Sequence, residues 1–208
     1  MSNGNLKSDG KPKAKEVEPI KSLRNIKKVK QYLLGKKNKR DYMLFVVGIN
    51  VGLRAGDLLS LKISDVLDAN GKFKDSIIIV EEKTEKTREF NLNNSAKEAI
   101  KLYLDSLSSY NLYDYLFASR KGNGPLTVRS AHKLIKTTMR ELNIKGNYGT
   151  HTLRKTFGYH VYQNNVRENP LILETLQKIF NHSTQSITLK YIGITKEVIT
   201  DVYLNLNL

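Results

Sequence analysis

A few polar residues stand out because they lie in otherwise apolar stretches and carry side chains suited to phosphate chemistry. Arg54 directly follows an apolar segment, and His151 and Arg154 are three residues apart. On a helix that spacing puts the imidazole and the guanidinium on one face. Tyr191 follows His182 by nine residues. Guanidinium groups grip phosphate oxygens in pairs and imidazole exchanges protons near neutral pH, so this set could bind a phosphate and move a proton.

Taken singly, each of these motifs also fits a purely structural role. Motifs of other enzyme classes must be considered as well. Arg54 would serve equally well as a surface arginine at a helix C-terminus. The sequence has no GxxxxGK[ST], GxGxxG, HExxH or GxSxG motif, which argues against nucleotide-binding, zinc-protease and serine-hydrolase chemistry. The histidines are too dispersed for a metal site. We therefore expect no metal and no cofactor, and we assign structural roles to His132 and His160.

Charge indicates a polyanionic partner. The 208 residues include 35 Lys and Arg against 20 Asp and Glu, a net charge of +15. Residues 1–19 hold four lysines and three acidic residues, so nearly all of this excess lies on the rest of the chain. Nucleic acid and an anionic membrane surface both fit, but no apolar stretch approaches the roughly 20 residues of a membrane span. With no cysteine and no signal-peptide pattern, we take the cytoplasm as the default location.

The elements that must position these residues are mostly helical. Residues 1–19 are polar, and we predict that they form a disordered, basic leader. Apolar spacing predicts helices, and a β-branched run, a polar turn and a second short run predict a hairpin of strands 76–80 and 88–92. We therefore predict an α+β domain, mainly α with a small antiparallel β-sheet. The predicted helices span 25–34, 40–51, 56–65, 94–107, 127–142, 150–164, 170–180 and 183–191, with a last apolar segment over 196–204.

Four sequence blocks in order carry a resemblance to the tyrosine recombinase or phage integrase family. They are GLRAGDLLSLKISDV, EKTEKTREFNL, HTLRKTF and LQKIFNHSTQSITLKYIGI. The resemblance covers about residues 20–208 and implies the tyrosine recombinase catalytic-domain fold. It also implies site-specific DNA cleavage and rejoining through a 3′-phosphotyrosyl intermediate. The catalytic residues that it implies are Arg54, Lys83, His151, Arg154, His182 and Tyr191, with Asp57 as a supporting acceptor.

The family pattern implies a role for each of these side chains. The two arginines would hold the non-bridging phosphate oxygens, and Lys83 would protonate the leaving 5′ oxygen. A free tyrosine has a pKa of about 10, so its phenol needs a proton acceptor as it attacks. His151 is expected to be that base, with His182 as a hydrogen-bond donor to the phosphate.

This chain departs from the family pattern at several points. Asn181 stands where Gly is usual before the third-block histidine, and Asn91 stands where Pro is usual. Lys86 also lies in the hairpin, so the choice between Lys83 and Lys86 as general acid stays open. Relatives generally carry an N-terminal core-binding domain that clamps DNA. The polar leader cannot form one, so either a separate clamp-domain protein supplies it or this protein holds DNA from one side only.

The expected partner is double-stranded DNA, bound by a homo-oligomer, a tetramer in this family, in a bacterial or phage setting near the nucleoid. The apolar segment 192–208 either packs on its own domain or is exchanged between protomers, as the family implies. The alternative function is a catalytically inactive DNA-binding partner or regulator of a full-length recombinase. A type IB topoisomerase and a membrane-surface protein are further alternatives, which the NHS block and the lack of a basic amphipathic helix disfavour.

Overall fold

A computed structural model describes residues 16–194 and positions 203, 204 and 206. Within them the chain is mostly helical, with one two-stranded antiparallel sheet, so the predicted fold class is confirmed. The predicted helices and the hairpin are present with ends shifted by a few residues, except for one segment treated below. The elements are α1 (Leu23–Gly35), α2 (Lys39–Val51), α3 (Ala55–Leu59), α4 (Ile63–Val66), β1 (Ile77–Val80), β2 (Thr87–Phe90), α5 (Asn94–Leu104), α6 (Val128–Glu141), α7 (Thr150–Asn165), α8 (Ile172–Phe180) and α9 (Gln185–Ile192).

Helix α2 forms the centre of the larger hydrophobic core. The side chain of Asn38 caps its start by accepting a hydrogen bond from the Arg40 amide. From there to Val51 most side chains are buried, because α1, α5 and α7 pack around the helix. Gly52 ends it in the left-handed conformation, with φ at 61°. Glycine adopts that conformation without steric cost, so the chain turns sharply just before Arg54.

The segment predicted as one helix over 56–65 is instead two short helices, α3 and α4, so that prediction is wrong. Between them Leu61 accepts a hydrogen bond from the Leu116 amide at 2.8 Å, and the Ile63 amide donates to Asp114 at 3.0 Å. These long-range bonds replace the local helical ones and allow Leu61 and Ile63 both to be buried. Local periodicity carries no information on this pairing with a distant segment.

The predicted hairpin pairs Ile77 with Phe90 and Val80 with Thr87 in antiparallel register. Ile77 is buried against the larger core, while Ile78 and Val80 are exposed. The connection turns at Glu85, which has a positive φ of 55°. The hairpin thus projects its turn, which contains the two candidate lysines, away from the core.

A second, smaller core lies where α8 and α9 pack on α7. It contains Leu176, Phe180 and Ile192, each almost fully buried. Gly158 on α7 permits this approach: an added Cβ there would lie 2.6 Å from Phe180 and 2.7 Å from Ile192. This small core fixes the turn between α8 and α9, and with it His182 and Tyr191.

The N-terminal segment before α1 packs against the body. Residues 16–19, which the sequence places in a disordered leader, make ordered contacts: the Glu18 amide donates to the Asn147 carbonyl at 2.8 Å. The Ile20 amide donates to Thr156 Oγ1 at 2.8 Å, and the Ile20 side chain is buried. The remaining leader residues, 1–15, lie outside the described part of the chain.

Much of the C-terminal tail also lies outside the described residues. Of the segment predicted to be exchanged between protomers, 192–208, the structure describes 192–194 and positions 203, 204 and 206. Tyr203, Leu204 and Leu206 are exposed. Among the helices that the structure describes, none has the length and apolar character to cross a membrane.

The close packing around Gly158 predicts that a larger residue at this position destabilises the protein. Gly158→Ala places a methyl group against Phe180 and Ile192, so we expect the free energy of unfolding to fall by about 1–3 kcal/mol. Denaturant unfolding followed by circular dichroism measures this. The control is Gly35→Ala, where an added Cβ meets nothing within 4 Å and the expected change is under about 0.5 kcal/mol. Equal midpoints for the two variants would contradict the packing described here.

Candidate active site

Arg54 enters the site from the tight turn after α2. It is the N-cap residue of α3, and its side chain is 21% exposed. Its Nη1 lies 2.5 Å from a carboxylate oxygen of Glu81 and 4.0 Å from Asp57 Oδ2. The guanidinium is therefore oriented from one side by two carboxylates and remains accessible on the other.

Glu81, at the end of β1, holds two arginines together. Its other carboxylate oxygen lies 3.4 Å from Nη1 of Arg88, whose Nη2 donates to the carbonyls of Val51 and Gly52 at 3.1 and 3.2 Å. Burial opposes ionisation of Glu81, but hydrogen bonds from Thr84 and Arg54 and the charges of Arg54 and Arg88 outweigh it, so the pKa is lowered. Glu81 therefore ties the hairpin to the end of α2.

Asp57 and the hairpin turn set the position of Lys83. The Glu82 amide donates to Asp57 Oδ1 at 3.0 Å, and Asp57 is buried. Lys83 follows directly and is exposed, and its positive charge is among those that act on His151. Lys86 instead donates to the Asn181 side chain at 3.2 Å. The two candidate lysines of the hairpin are thus separated, with Lys86 bonded to the turn after α8.

Helix α7 carries His151 in its first turn and Arg154 one turn later. Arg154 is buried, stacks 4.8 Å from the Phe180 ring centre and donates from Nη2 to the Phe180 carbonyl at 3.1 Å. Its Nη1 is buried without a hydrogen-bond partner among the described residues. Burial lowers the pKa of Arg154 to about 10, so it remains a cation at neutral pH. The site therefore holds a buried, charged donor whose hydrogen-bonding capacity is not used by the described part of the protein.

His151 is held in its neutral form. Burial is the largest cause that lowers its pKa, followed by the positive charges of Arg154 and Lys155 and then by His132 and Lys83. Because its usual pKa is about 6.5, a lowered value leaves the imidazole unprotonated at pH 7. In that form one ring nitrogen can accept a proton.

His182 follows the turn that ends α8. Asn181 takes the left-handed conformation there, with φ at 54° and ψ at 47°, which asparagine tolerates better than most residues. The Nδ1 of His182 lies 3.1 Å from Thr188 Oγ1, and Gln177 donates to the His182 carbonyl at 3.1 Å. Burial lowers the pKa of His182, and the charges of Arg154 and Arg54 add to the effect. The glycine that the family pattern has at 181 is thus not needed for this turn.

Tyr191, on α9, points into the same cluster. Its ring centre lies 5.0 Å from that of His182 and 5.4 Å from that of Phe180. The Nζ of Lys155 lies 4.7 Å from the ring centre. Burial raises the pKa of Tyr191, although the nearby charges of Arg154 and Arg54 act in the opposite direction. Tyr191 is accordingly held as a phenol beside two arginines.

The structure groups Arg54 with Asp57 around Glu81, and it groups Arg154, His182 and Tyr191 around Phe180. The charges of Lys83 and Arg154 act on His151. The structure also adds three residues that sequence reasoning missed. Glu81, Arg88 and Lys155 are all buried or nearly so and bind the chosen residues or each other. The only signal for Glu81 was its place as the first of two adjacent acids after an apolar strand. His132 packs over Gly149 at the start of α7, and His160 donates to the Ile20 carbonyl at 2.9 Å.

Fold and site together define a tyrosine recombinase catalytic domain. A model of the phage integrase family matches residues 18–197, and the chain belongs to that family. It is 40% identical over 187 residues to the probable integrase/recombinase YoeC of Bacillus subtilis (strain 168), covering 90% of this chain and 95% of YoeC.

More distant relatives agree with this assignment. The chain is 27% identical over 172 residues to tyrosine recombinase XerC of the same bacterium, covering 80% of this chain and 53% of XerC. It therefore spans about half the length of XerC. The structure of the Tn1549 transposon integrase in complex with a circular intermediate DNA matches with a TM-score of 0.67 at 19% identity, over 86% of this chain and 62% of that one. This last likeness supports the fold.

The Glu81 ion pairs predict a specific dependence of stability on pH. Glu81→Gln leaves Arg54 and Arg88 without their shared carboxylate, so we expect a loss of about 3 kcal/mol in the free energy of unfolding at pH 7. Because the folded-state pKa of Glu81 is lowered, its contribution is fully present above the unfolded value of about 4.3 and disappears as pH falls through the folded value. Wild type and variant should therefore converge in acid.

Denaturant titrations between pH 7 and pH 3 measure this difference. Glu82→Gln is the matched control, because Glu82 is exposed and bonds to Asp57 only through its backbone amide. A constant difference between wild type and Glu81→Gln at all pH values would show that Glu81 acts through packing and not through charge.

Proposed function

We propose that this chain, as a tyrosine-type site-specific recombinase, cleaves one strand of double-stranded DNA with Tyr191 and rejoins it to another strand. The observation that carries the proposal is the buried guanidinium nitrogen of Arg154 that has no hydrogen-bond partner among the described residues, on a side chain that stacks on the same Phe180 ring as Tyr191 contacts. A buried charged donor is costly unless an anion pairs with it. A DNA phosphate supplies that anion next to the phenol.

The two arginines bind the scissile phosphate. Attack at phosphorus produces a five-coordinate state with additional negative charge on the non-bridging oxygens, and cations that are already in place stabilise it. Arg54, oriented by Glu81, and Arg154, stacked on Phe180, approach from different elements. Both remain protonated at working pH, and each guanidinium can bind two oxygens.

Proton transfer starts the reaction. The Tyr191 oxygen forms a bond to phosphorus while its proton passes to the neutral His151, and the bond from phosphorus to the 5′ oxygen breaks. This leaves a 3′-phosphotyrosyl link. His182 donates a hydrogen bond to a phosphate oxygen, and the contact of its Nδ1 with Thr188 Oγ1 at 3.1 Å holds the ring in orientation. The lowered pKa of His151 leaves its imidazole unprotonated and the raised pKa of Tyr191 keeps the phenol protonated, so the proton is transferred as the bond to phosphorus forms.

Lys83 protonates the leaving 5′ oxygen. Two observations favour it over Lys86: its charge acts on His151, and Lys86 is bonded to Asn181. An ammonium group can donate a proton to the leaving oxygen, as a general acid does. Reversal by a 5′ hydroxyl from a second strand re-forms the phosphodiester, because the phosphotyrosyl link conserves the energy of the broken bond. The proposed sequence needs no nucleotide or metal.

The proposal also includes the assembly on DNA. Strand exchange requires more than one active site, so we propose a homo-oligomer, a tetramer on DNA, at the nucleoid of a bacterial or phage host. The net charge of +15 supports a DNA substrate. The exchange of segment 192–208 between protomers and a separate clamp-domain protein belong to the same proposal.

Covalent trapping tests the nucleophile. Wild type is incubated without Mg²⁺ with nicked duplexes from a library of candidate sites, denatured, and examined for a protein–DNA adduct. We expect the adduct in wild type, and in Tyr191→Phe a loss on the order of 10³-fold or more. Tyr162→Phe, a partly buried tyrosine on α7, serves as the control and should keep the adduct. Salt-dependent DNA binding without any adduct in wild type would favour the inactive DNA-binding partner.

A sulfur substrate tests the general acid. Lys83→Ala should slow cleavage by about 10²- to 10⁴-fold, whereas Lys86→Ala should slow it by less than about 10-fold because that side chain only holds the hairpin turn. A duplex with sulfur in place of the leaving 5′ oxygen restores the rate of Lys83→Ala, since a thiolate leaves without a proton. Rescue of Lys86→Ala instead of Lys83→Ala would reverse the assignment.

A further inference from the structure

Lys155 is a buried charged residue that the mechanism above does not use. It follows Arg154 on α7, and its side chain is only 5% exposed. Its Nζ lies 4.7 Å from the centre of the Tyr191 ring and 2.5 Å from a carboxylate oxygen of Glu16. The ammonium therefore connects the nucleophile to a residue 139 positions away in the chain.

Glu16 is held in place by a segment that we call the N-terminal strap, residues 16–20. The strap is hydrogen-bonded at both ends: Asn147 Nδ2 donates to the Glu16 carbonyl at 3.1 Å, and His160 donates to the Ile20 carbonyl at 2.9 Å. Between them the Glu18 amide donates to Asn147. The strap thus runs along α7 and presents the Glu16 carboxylate to Lys155.

This arrangement has a physical reason. An ammonium removed from water is costly unless a carboxylate pairs with it, and Glu16 provides that pairing. A desolvated cation near an aromatic face is attracted by the ring. Phe180 and His182 both contact the Tyr191 ring with edge-to-face geometry, so Lys155 supplies a third contact that limits rotation of the phenol.

We infer that Lys155, held by Glu16 of the N-terminal strap, is a positioning residue that keeps the Tyr191 ring oriented for attack on the phosphate. The inference rests on the proposed role of Tyr191 as nucleophile. Lys155 does not touch the reacting atoms, and Glu16 acts only through Lys155. The charged groups around the ring are Arg54, Arg154, Lys155 and Glu16, with the titratable His182 beside them.

Single-turnover cleavage at saturating nicked DNA gives the first test. We expect Lys155→Met to slow adduct formation by about 10- to 100-fold, as misplacement of a reacting group does, with little change in DNA affinity. Glu16→Gln should cause a smaller loss, and the double variant should be no slower than Lys155→Met, because both changes remove the same support. Lys155→Arg should recover most of the rate, since a guanidinium also stacks on a ring and pairs with a carboxylate.

Matched controls separate this effect from loss of charge alone. Lys190→Met removes an exposed cation next to Tyr191 on α9, and Glu18→Gln removes an exposed acid from the same strap. Both should keep the wild-type cleavage rate at saturating DNA. Additive losses in the double variant, or equal losses in the controls, would overturn the inference.

A measurement without DNA keeps this inference distinct from the proposed function. In protein labelled with ring ¹³C-tyrosine, the Tyr191 resonance is identified by its absence in Tyr191→Phe. We expect it to shift and broaden in Lys155→Met and to stay unchanged in Lys190→Met. If wild type forms no adduct but the resonance responds, the proposed function fails while the contact stands. An unmoved resonance in Lys155→Met overturns the positioning role.

Discussion

Repulsion between cations is the constraint on which this active site depends. Arg54, Arg88 and Arg154 lie close enough for each to affect the ionisation of another, and in a partly buried pocket such interactions are weakly screened. Glu81 offsets part of this repulsion by binding both Arg54 and Arg88. Arg154 is held by the Phe180 carbonyl and ring. Its remaining charge is what a phosphate would neutralise.

The same constraint explains why the pocket is assembled from so many elements. Each cation comes from a different part of the fold: the turn after α2, the hairpin, and α7. Their side chains can therefore approach one point from different directions while their backbones stay apart. Burial is the main cause that lowers the pKa of His151 and His182, and the shared positive field adds to it, whereas for Tyr191 the field opposes the effect of burial. The way the fold places these cations therefore also affects the protonation states of the histidines and of Tyr191.

Local patterns predicted most of the elements because apolar spacing and capping residues act over a few positions. Ser22 and Asn93 cap α1 and α5, and Gly52 ends α2. The single helix over 56–65 was wrong because its break depends on bonds to residues 114–116. Residues 16–19 were placed in the leader because a polar composition does not reveal an ion pair formed with a helix far along the chain.

The sequence by itself determined the family and the order of the candidate residues Arg54, His151, Arg154, His182 and Tyr191, because residue type and spacing are carried by the chain alone. Tertiary structure decided how those residues are held and charged. It showed that Glu81 pairs with Arg54, that Lys155 lies against the Tyr191 ring, and that Lys86 is bonded to Asn181. These properties depend on burial and on distances between charges in space, which no local stretch of sequence encodes.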